Sequence, residues 1–231
     1  MTLAALELAL IDLSDGEIAT RISIGDHKAF ALLMRRHNRL LYRTARSIVK
    51  NDADAEDVLQ EAYLLVFRRI GQYRGDAKLS TWLTRIVANE AIARARTTNR
   101  RAQILDINHG SDLENGDTDI DMEQSRSEQP DESAMRSQTR ALLERKIDEL
   151  PESFRTVFVL RALEEMEVGE VAASLDIPEA TVRSRFFRAR GLLRESLARE
   201  IDIAHHDAFS FDGARCDRIV AGVLAQLPGN D

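Results

Sequence analysis

Very little in this sequence supports a covalent framework or a turn-rich β architecture. A single cysteine, Cys216, in 231 residues excludes an internal disulfide and any multi-thiolate zinc site, and it suits a reducing cytoplasm. Four prolines and eleven glycines are too few for a sandwich, a barrel or a collagen-like fibre. Aromatic residues make up 5%, with Trp82 the one tryptophan. No apolar run approaches the roughly 18 residues of a membrane-spanning helix, so no insertion is expected. Residues 1–13 are apolar in part, but Glu7 and Asp12 interrupt them and no Lys or Arg precedes them, unlike a secretory signal. What remains is 44% hydrophobic and 31% charged, enough for one large helical domain or two small ones.

The net charge of −7 conceals segregation. Residues 21–101 carry 17 Lys or Arg against 8 Asp or Glu, whereas residues 106–134 carry 1 against 10. Five further arginines fall within Ala180–Arg194. Two basic segments separated by an acidic one fit contact with a polyanion, although solvated faces alone give the same totals.

Periodicity divides the chain. Phe30, Leu33, Met34, Leu41, Ala45 and Ile48 mark one helical face, and Val58, Ala62, Leu65 and Val66 a second. Between them, Asn51 to Asp54 read as a stop and restart, with Asp52 or Asp54 the expected cap. Gly71 and Gly75 bracket a loop, and Ser80 is the expected cap of a third helix bearing Leu83, Ile86, Val87 and Ala91. Residues 106–134 lack periodicity and are too polar to offset their ordering entropy, which predicts a flexible linker. Beyond it, Leu142, Leu143, Ile147 and Leu150 form a stripe, and Pro151 opens a helix with Phe154, Val157 and Phe158 inward. The expected architecture is all-α: two small helical domains, 14–101 and 138–200, a flexible acidic linker over 102–137, and a short helical tail over 201–231.

The most informative stretch is residues 168–194. Val171, Ala172 and Leu175 support a short helix, Asp176 and Ile177 break it, and Pro178 starts a longer one. Val182, Phe186, Ala189 and Leu193 line the inner side of that second helix, while Thr181, Arg183, Ser184, Arg185, Arg188 and Arg190 lie opposite. This is the layout of a helix-turn-helix, whose second helix aims Arg, Ser and Thr side chains into a major groove. A helical hairpin with a solvated basic face is the competing reading.

Within the basic N-terminal half, Asp54, Asp57, Gln60 and Glu61 form an acidic and polar patch. Carboxylates at a helix start favour the positive dipole end, but Gln60 and Glu61 lie beyond the first turn, which suggests a protein-binding face. Tyr73 and Trp82 beside arginines suit unstacked bases, since a ring stacks a base while a guanidinium holds phosphate; a lone Trp is also commonly core.

Taken in order, DAEDVLQEAYLLVFRRI (54–70), YRGDAKLSTWLTRIVANEAI (73–92) and LPESFRTVFVLRALEEMEVGEVAASLDIPEATVRSRFFRARGLLR (150–194) resemble an extracytoplasmic-function sigma factor of bacterial RNA polymerase. The resemblance covers about residues 14–200. It implies a promoter-recognition subunit without catalysis of its own, cofactor-free, cytoplasmic, and controlled by an anti-sigma factor in a stress or envelope response. It assigns core polymerase binding to Asp54, Asp57, Gln60 and Glu61. It places Tyr73, Arg74, Gly75, Asp76 and Lys78 in a loop that pockets a −10 base, with Thr81, Trp82, Arg85 and Asn89 beside the strand. It gives −35 reading to Glu179, Thr181, Arg183, Ser184, Arg185 and Arg188.

Two departures stand out: the strongly acidic linker, which either mimics nucleic acid in a polymerase channel or is simply solvated, and the tail. His205, His206, Asp207 and Cys216 lack zinc spacing, so no metal is expected. Phe209 and Phe211 precede an amphipathic run of Ile219, Val220, Val223, Leu224 and Leu227, expected to dock on the core or on a regulator. Two other functions compete with promoter recognition. A conventional helix-turn-helix regulator has no need of residues 54–92 as they stand, and a nucleic-acid enzyme would need converging carboxylates or a nucleophile–base pair that the sequence does not offer.

Overall fold

The structure, a computed structural model, describes residues 13–108, 130–207 and 213–224, with side chains described over 13–98, 100, 136–200 and 217–223. Among the described residues every regular element is helical, as expected. Helix α1 (Asp15–Ser23) starts at Ser14, whose hydroxyl accepts from the Glu17 N–H while Glu17 reaches back to the Ser14 N–H, a reciprocal cap. Helix α2 (His27–Val49) starts at Asp26, whose carboxylate accepts from the N–H groups of Lys28 and Ala29.

Helix α3 (Asp52–Arg69) departs from the expected cap. Asn51, in extended backbone, accepts from the Asp54 N–H, so neither Asp52 nor Asp54 is the cap. Those carboxylates are drawn elsewhere: Asp52 to Arg46 at 2.5 Å, Asp54 to Arg94 at 2.9 Å. After a 3-10 turn at Ile70–Gln72, helix α4 (Leu79–Asn108) begins one residue before Ser80. The N–H of Trp82 bonds the Lys78 carbonyl at 3.2 Å, so Ser80 lies in the first turn and does not cap it.

Helix α4 continues into the span expected as linker, and α5 (Pro130–Asp148) begins before residue 138. Helix thus replaces expected linker over 102–108 and 130–137, because good helix formers on each side outweigh local polarity; residues 109–129 lie outside the described residues. Helix α6 (Glu152–Phe158) runs on into a π turn, Val159–Leu163. Helices α7 (Val168–Leu175) and α8 (Glu179–Asp207) follow, then α9 (Gly213–Leu224).

The chain divides into two compact units, Met1–Gly191 and Leu192–Asp231. In the first, Leu33, Leu41, Ala45, Val58, Ala62, Val66, Leu83, Val87 and Ala91 form the main core of α2, α3 and α4. Burying one large aliphatic side chain of this kind contributes roughly 1.5–3 kcal/mol before entropy is charged against it. A smaller core joins Val157, Leu160, Met166, Val171 and Val182. The two cores interlock, since Leu175 of α7 packs on the first and Leu40 of α2 on the second.

Arg155 of α6 makes the firmest joint between them. It is buried, and its Nε donates to the Ser47 carbonyl at 2.5 Å and its Nη2 to the Ile48 carbonyl at 3.3 Å. Those oxygens belong to the last turn of α2, where carbonyls lack intrahelical partners and carry partial negative charge. Its Nη1 donates to the Leu150 carbonyl at 2.9 Å. Beside it, Arg46 grips Asp148 bidentately at 3.0 and 2.8 Å, and Arg43 meets Glu164 at 2.6 Å.

In the second unit, Ile219, Val220 and Val223 of α9 are each at least half exposed. The side chains of His205, His206, Asp207 and Cys216, together with Phe209, Phe211, Leu224 and Leu227, lie outside the described side chains.

Candidate nucleic-acid interface

The acidic patch forms one face of α3. Asp57, Gln60 and Glu61 are exposed and Asp54 is half-buried. Arg94 of α4 lies along them, with Nε 2.9 Å from Asp54, Nη2 2.6 Å from Asp57 and Nη1 3.7 Å from Glu61. The hydrogen bond to Asp54 is the main reason the guanidinium holds its proton even more tightly than usual. One cation therefore sets the rotamers of three carboxylates. Leu64, 57% exposed, continues the same face one turn beyond Gln60 and Glu61. Sequence reading missed it by following the polar residues alone; the spacing 57, 60, 61, 64 carries the signal.

The loop after α3 is held by its own groups. The Tyr73 hydroxyl donates to the Ala77 carbonyl at 2.8 Å, and the Tyr73 ring lies 5.8 Å from that of Trp82 at 54°. Gly75 has φ +80°, a left-handed conformation that side chains with a Cβ rarely adopt. Arg74, Asp76, Lys78, Arg85 and Asn89 are exposed, while Tyr73 and Trp82 are half-buried against the core. Thr81 is different: it is 4% exposed and its Oγ1 has no hydrogen-bond partner. It faces inward because α7 covers the start of α4, where the Ser174 hydroxyl donates to the Thr81 carbonyl at 3.3 Å.

The helix-turn-helix has the expected division of faces. Val182, Ala189 and Leu193 are buried, and Phe186 stacks on Phe158 with Arg161 and Arg190 over its ring at 5.7 and 5.8 Å. The turn runs through Asp176, which takes a left-handed conformation at φ 54° and closes α7. Glu179, Arg183, Ser184 and Arg188 are exposed, with Thr181 and Arg185 partly so. Glu179 and Arg183 pair at 2.6 Å along the helix. Phe187, 80% exposed, stands among these polar groups. Its neighbour Phe186 takes the core position, so one aromatic of the pair is left in water. Sequence reading followed the inner stripe and passed over it.

The comparisons with known proteins agree with this layout. The family Sigma-70 region 2 matches residues 33–101, and the family Sigma-70, region 4 matches residues 140–193. The RNA polymerase sigma-H factor of Pseudomonas aeruginosa is 32% identical over 79% of this chain and 93% of its own length. The ECF RNA polymerase sigma-E factor of Haemophilus influenzae is 33% identical over 80% and 96%. This chain belongs to the extracytoplasmic-function sigma factors.

Among solved structures, the sigma factor resembles CnrH in complex with the cytosolic domain of CnrY, with a TM-score of 0.55, 25% identity, and coverage of 80% and 97% of the two chains. Its fold also matches the sigma factor RpoE in complex with the anti-sigma factor NepR from Bartonella quintana, with a TM-score of 0.58 and 22% identity over 74% and 98% of the two chains. The relatives are RNA polymerase sigma factors by name. Among the described residues of the sigma factor, no helix is long and apolar enough to cross a membrane, and no group of His, Cys, Asp and Glu is arranged to hold a metal.

Proposed function

We propose that this sigma factor engages core RNA polymerase through the α3 face of Asp54, Asp57, Gln60, Glu61 and Leu64, and reads promoters with its other two surfaces. The acidic face ordered by Arg94 carries this reading, because a carboxylate row with an exposed leucine is poorly suited to DNA and well suited to a basic protein surface. Residues 14–101 then form the polymerase- and −10-binding domain and 138–200 the −35-binding domain.

In the −10 loop, Tyr73, Arg74, Gly75, Asp76 and Lys78 receive an unstacked base. Trp82, Arg85 and Asn89 run beside the strand, with Thr81 joining them when α7 is displaced. The helix-turn-helix reads duplex DNA through Glu179, Thr181, Arg183, Ser184, Arg185 and Arg188, with Phe187 available to a thymine methyl. The sigma factor works in the cytoplasm, without catalysis or cofactor, under an anti-sigma factor in a stress or envelope response. Support for that partner is family membership and likeness to a relative bound to a cytosolic domain.

Duplex-binding assays and transcription from two templates test the assignment of surfaces. Arg188→Ala should weaken binding to a −35 duplex by about 1–3 kcal/mol, one good bidentate contact. Initiation from a template with a preformed bubble and no −35 element should be unchanged. Loss on both templates would show that Arg188 supports the fold and does not read DNA.

A further inference from the structure

Between α2, α5 and the π turn lies a cavity of about 460 Å³ that none of the proposed polymerase or promoter contacts uses. Its size falls within the roughly 300–1,000 Å³ of small-molecule sites. One wall is a single face of α2, with Arg39, Tyr42, Arg43 and Arg46 at three- and four-residue spacing. The facing wall is α5, where Arg140, Leu143, Glu144 and Ile147 repeat that spacing. Val159 and Leu163 of the π turn close a third side. Such turns are rare and concentrate at functional sites.

The lining is part apolar and part cationic. Leu143 and Leu163 are 37% and 38% exposed, beside buried Ile147 and Val159, so apolar surface meets water here. Five arginines share the cavity with three carboxylates, Asp52, Glu144 and Asp148. Three of those arginines are already engaged. Arg46 holds Asp148 and Asp52, Arg155 holds backbone carbonyls, and one arm of Arg43 holds Glu164. Arg39 and Arg140 are exposed, and among the described residues neither has a carboxylate partner. Two uncommitted guanidiniums therefore line one apolar-sided cavity from opposite walls.

We infer that this cavity is a binding site for a small phosphorylated ligand with a planar body, of the class of a purine nucleoside diphosphate. An arginine fork matches carboxylate and phosphate alike, but a carboxylate offers its two oxygens along one edge. A terminal phosphate offers three oxygens around a tetrahedron and so engages forks from two walls at once. The base then lies among Tyr42, Leu143 and Leu163. Glu144, one turn on from Arg140, is the acceptor for its N–H groups. A ligand held in this way stabilises the folded chain by mass action, so the sigma factor responds to the concentration of a small metabolite.

Full-length protein titrated with ribose-labelled fluorescent ADP and GDP, at about 0.15 M salt to screen diffuse attraction, tests the site. At least one of the two should saturate, with half-occupancy below about 100 μM. The same unlabelled nucleotide should displace the probe. Its nucleoside alone and inorganic pyrophosphate alone should each do so at least tenfold more weakly. Saturating nucleotide should raise the thermal unfolding midpoint by about 5 °C.

Arg39→Gln with Arg140→Gln should weaken binding at least tenfold and remove the thermal shift. Leu143→Trp, which fills the cavity and keeps both arginines, should do the same and decides the matter if the double variant folds poorly. Arg68→Gln with Arg69→Gln removes equal charge from the end of α3 and should change nothing. An equal loss in that control overturns the site, as does the absence of saturable binding by either nucleotide. Displacement by pyrophosphate as readily as by nucleotide overturns the planar-body assignment. A ten-nucleotide single strand that displaces the probe better than the nucleotide gives these arginines to a nucleic-acid path and overturns the proposal.

Discussion

Arg155 shows how much one side chain can organise. Its fork satisfies carbonyls at the end of α2 and before α6. Burial lowers its pKa from the ordinary guanidinium value, yet arginine remains charged, so its neighbours must go on supplying acceptors. Arg155→Met should cost about 3 kcal/mol in urea denaturation, since it strands several buried carbonyls at once. A loss below about 1 kcal/mol would show that water replaces the guanidinium freely. His37 gives a separate test. Its Nε2 is buried without a partner, and burial lowers its pKa below the ordinary 6.5. The unfolded chain therefore takes up a proton first, so stability should be lost as pH falls below 6.5 towards the folded-state value. His37→Gln should flatten the slope of urea stability between pH 7 and 5.5 by up to about 1.4 kcal/mol per pH unit. An unchanged slope would mean that the ring accommodates its charge.

At the scale of elements, α3 and α4 are joined by Arg94, whose three acidic partners are largely solvent-facing. Exposed ion pairs contribute little to stability, so Arg94→Ala should cost less than about 1 kcal/mol in thermal denaturation. It should nevertheless weaken polymerase binding, because Asp54, Asp57 and Glu61 lose the cation that orders them. A large stability loss with unchanged affinity would reverse these roles. The helices themselves were legible in the sequence: 3.6-residue periodicity placed the faces of Leu33, Leu41 and Ala45, and of Val182, Ala189 and Leu193, which the structure buries. Caps were harder to read, because Asn51, Asp52 and Asp54 are all competent in isolation and only distant Arg46 and Arg94 decide among them. Thr81 and Phe187 were illegible in opposite ways. One is a small polar residue covered by an element far along the chain; the other is an aromatic displaced into water by its neighbour.

In the molecule as a whole, motifs spread over three segments were enough to read an all-α promoter-recognition subunit, since each carries its own spacing. The packing of those segments on one another was not readable. Arg155 to Ser47, Arg43 to Glu164 and Lys78 to Glu170 link positions roughly a hundred residues apart, and no local pattern announces them. Both the bundle of α2, α3 and α4 and the helix-turn-helix as far as Gly191 fall within the unit Met1–Gly191. The central claim remains that α3 delivers this chain to core polymerase. Co-elution of purified wild type and a Glu61→Lys, Gln60→Lys variant with bacterial core RNA polymerase tests it most directly. Neither substitution removes a core side chain, so the variant should fold as the wild type does. The account predicts a stable wild-type complex and one weakened at least tenfold by the charge reversal, about 1.4 kcal/mol or more. Equal co-elution of both proteins would contradict it.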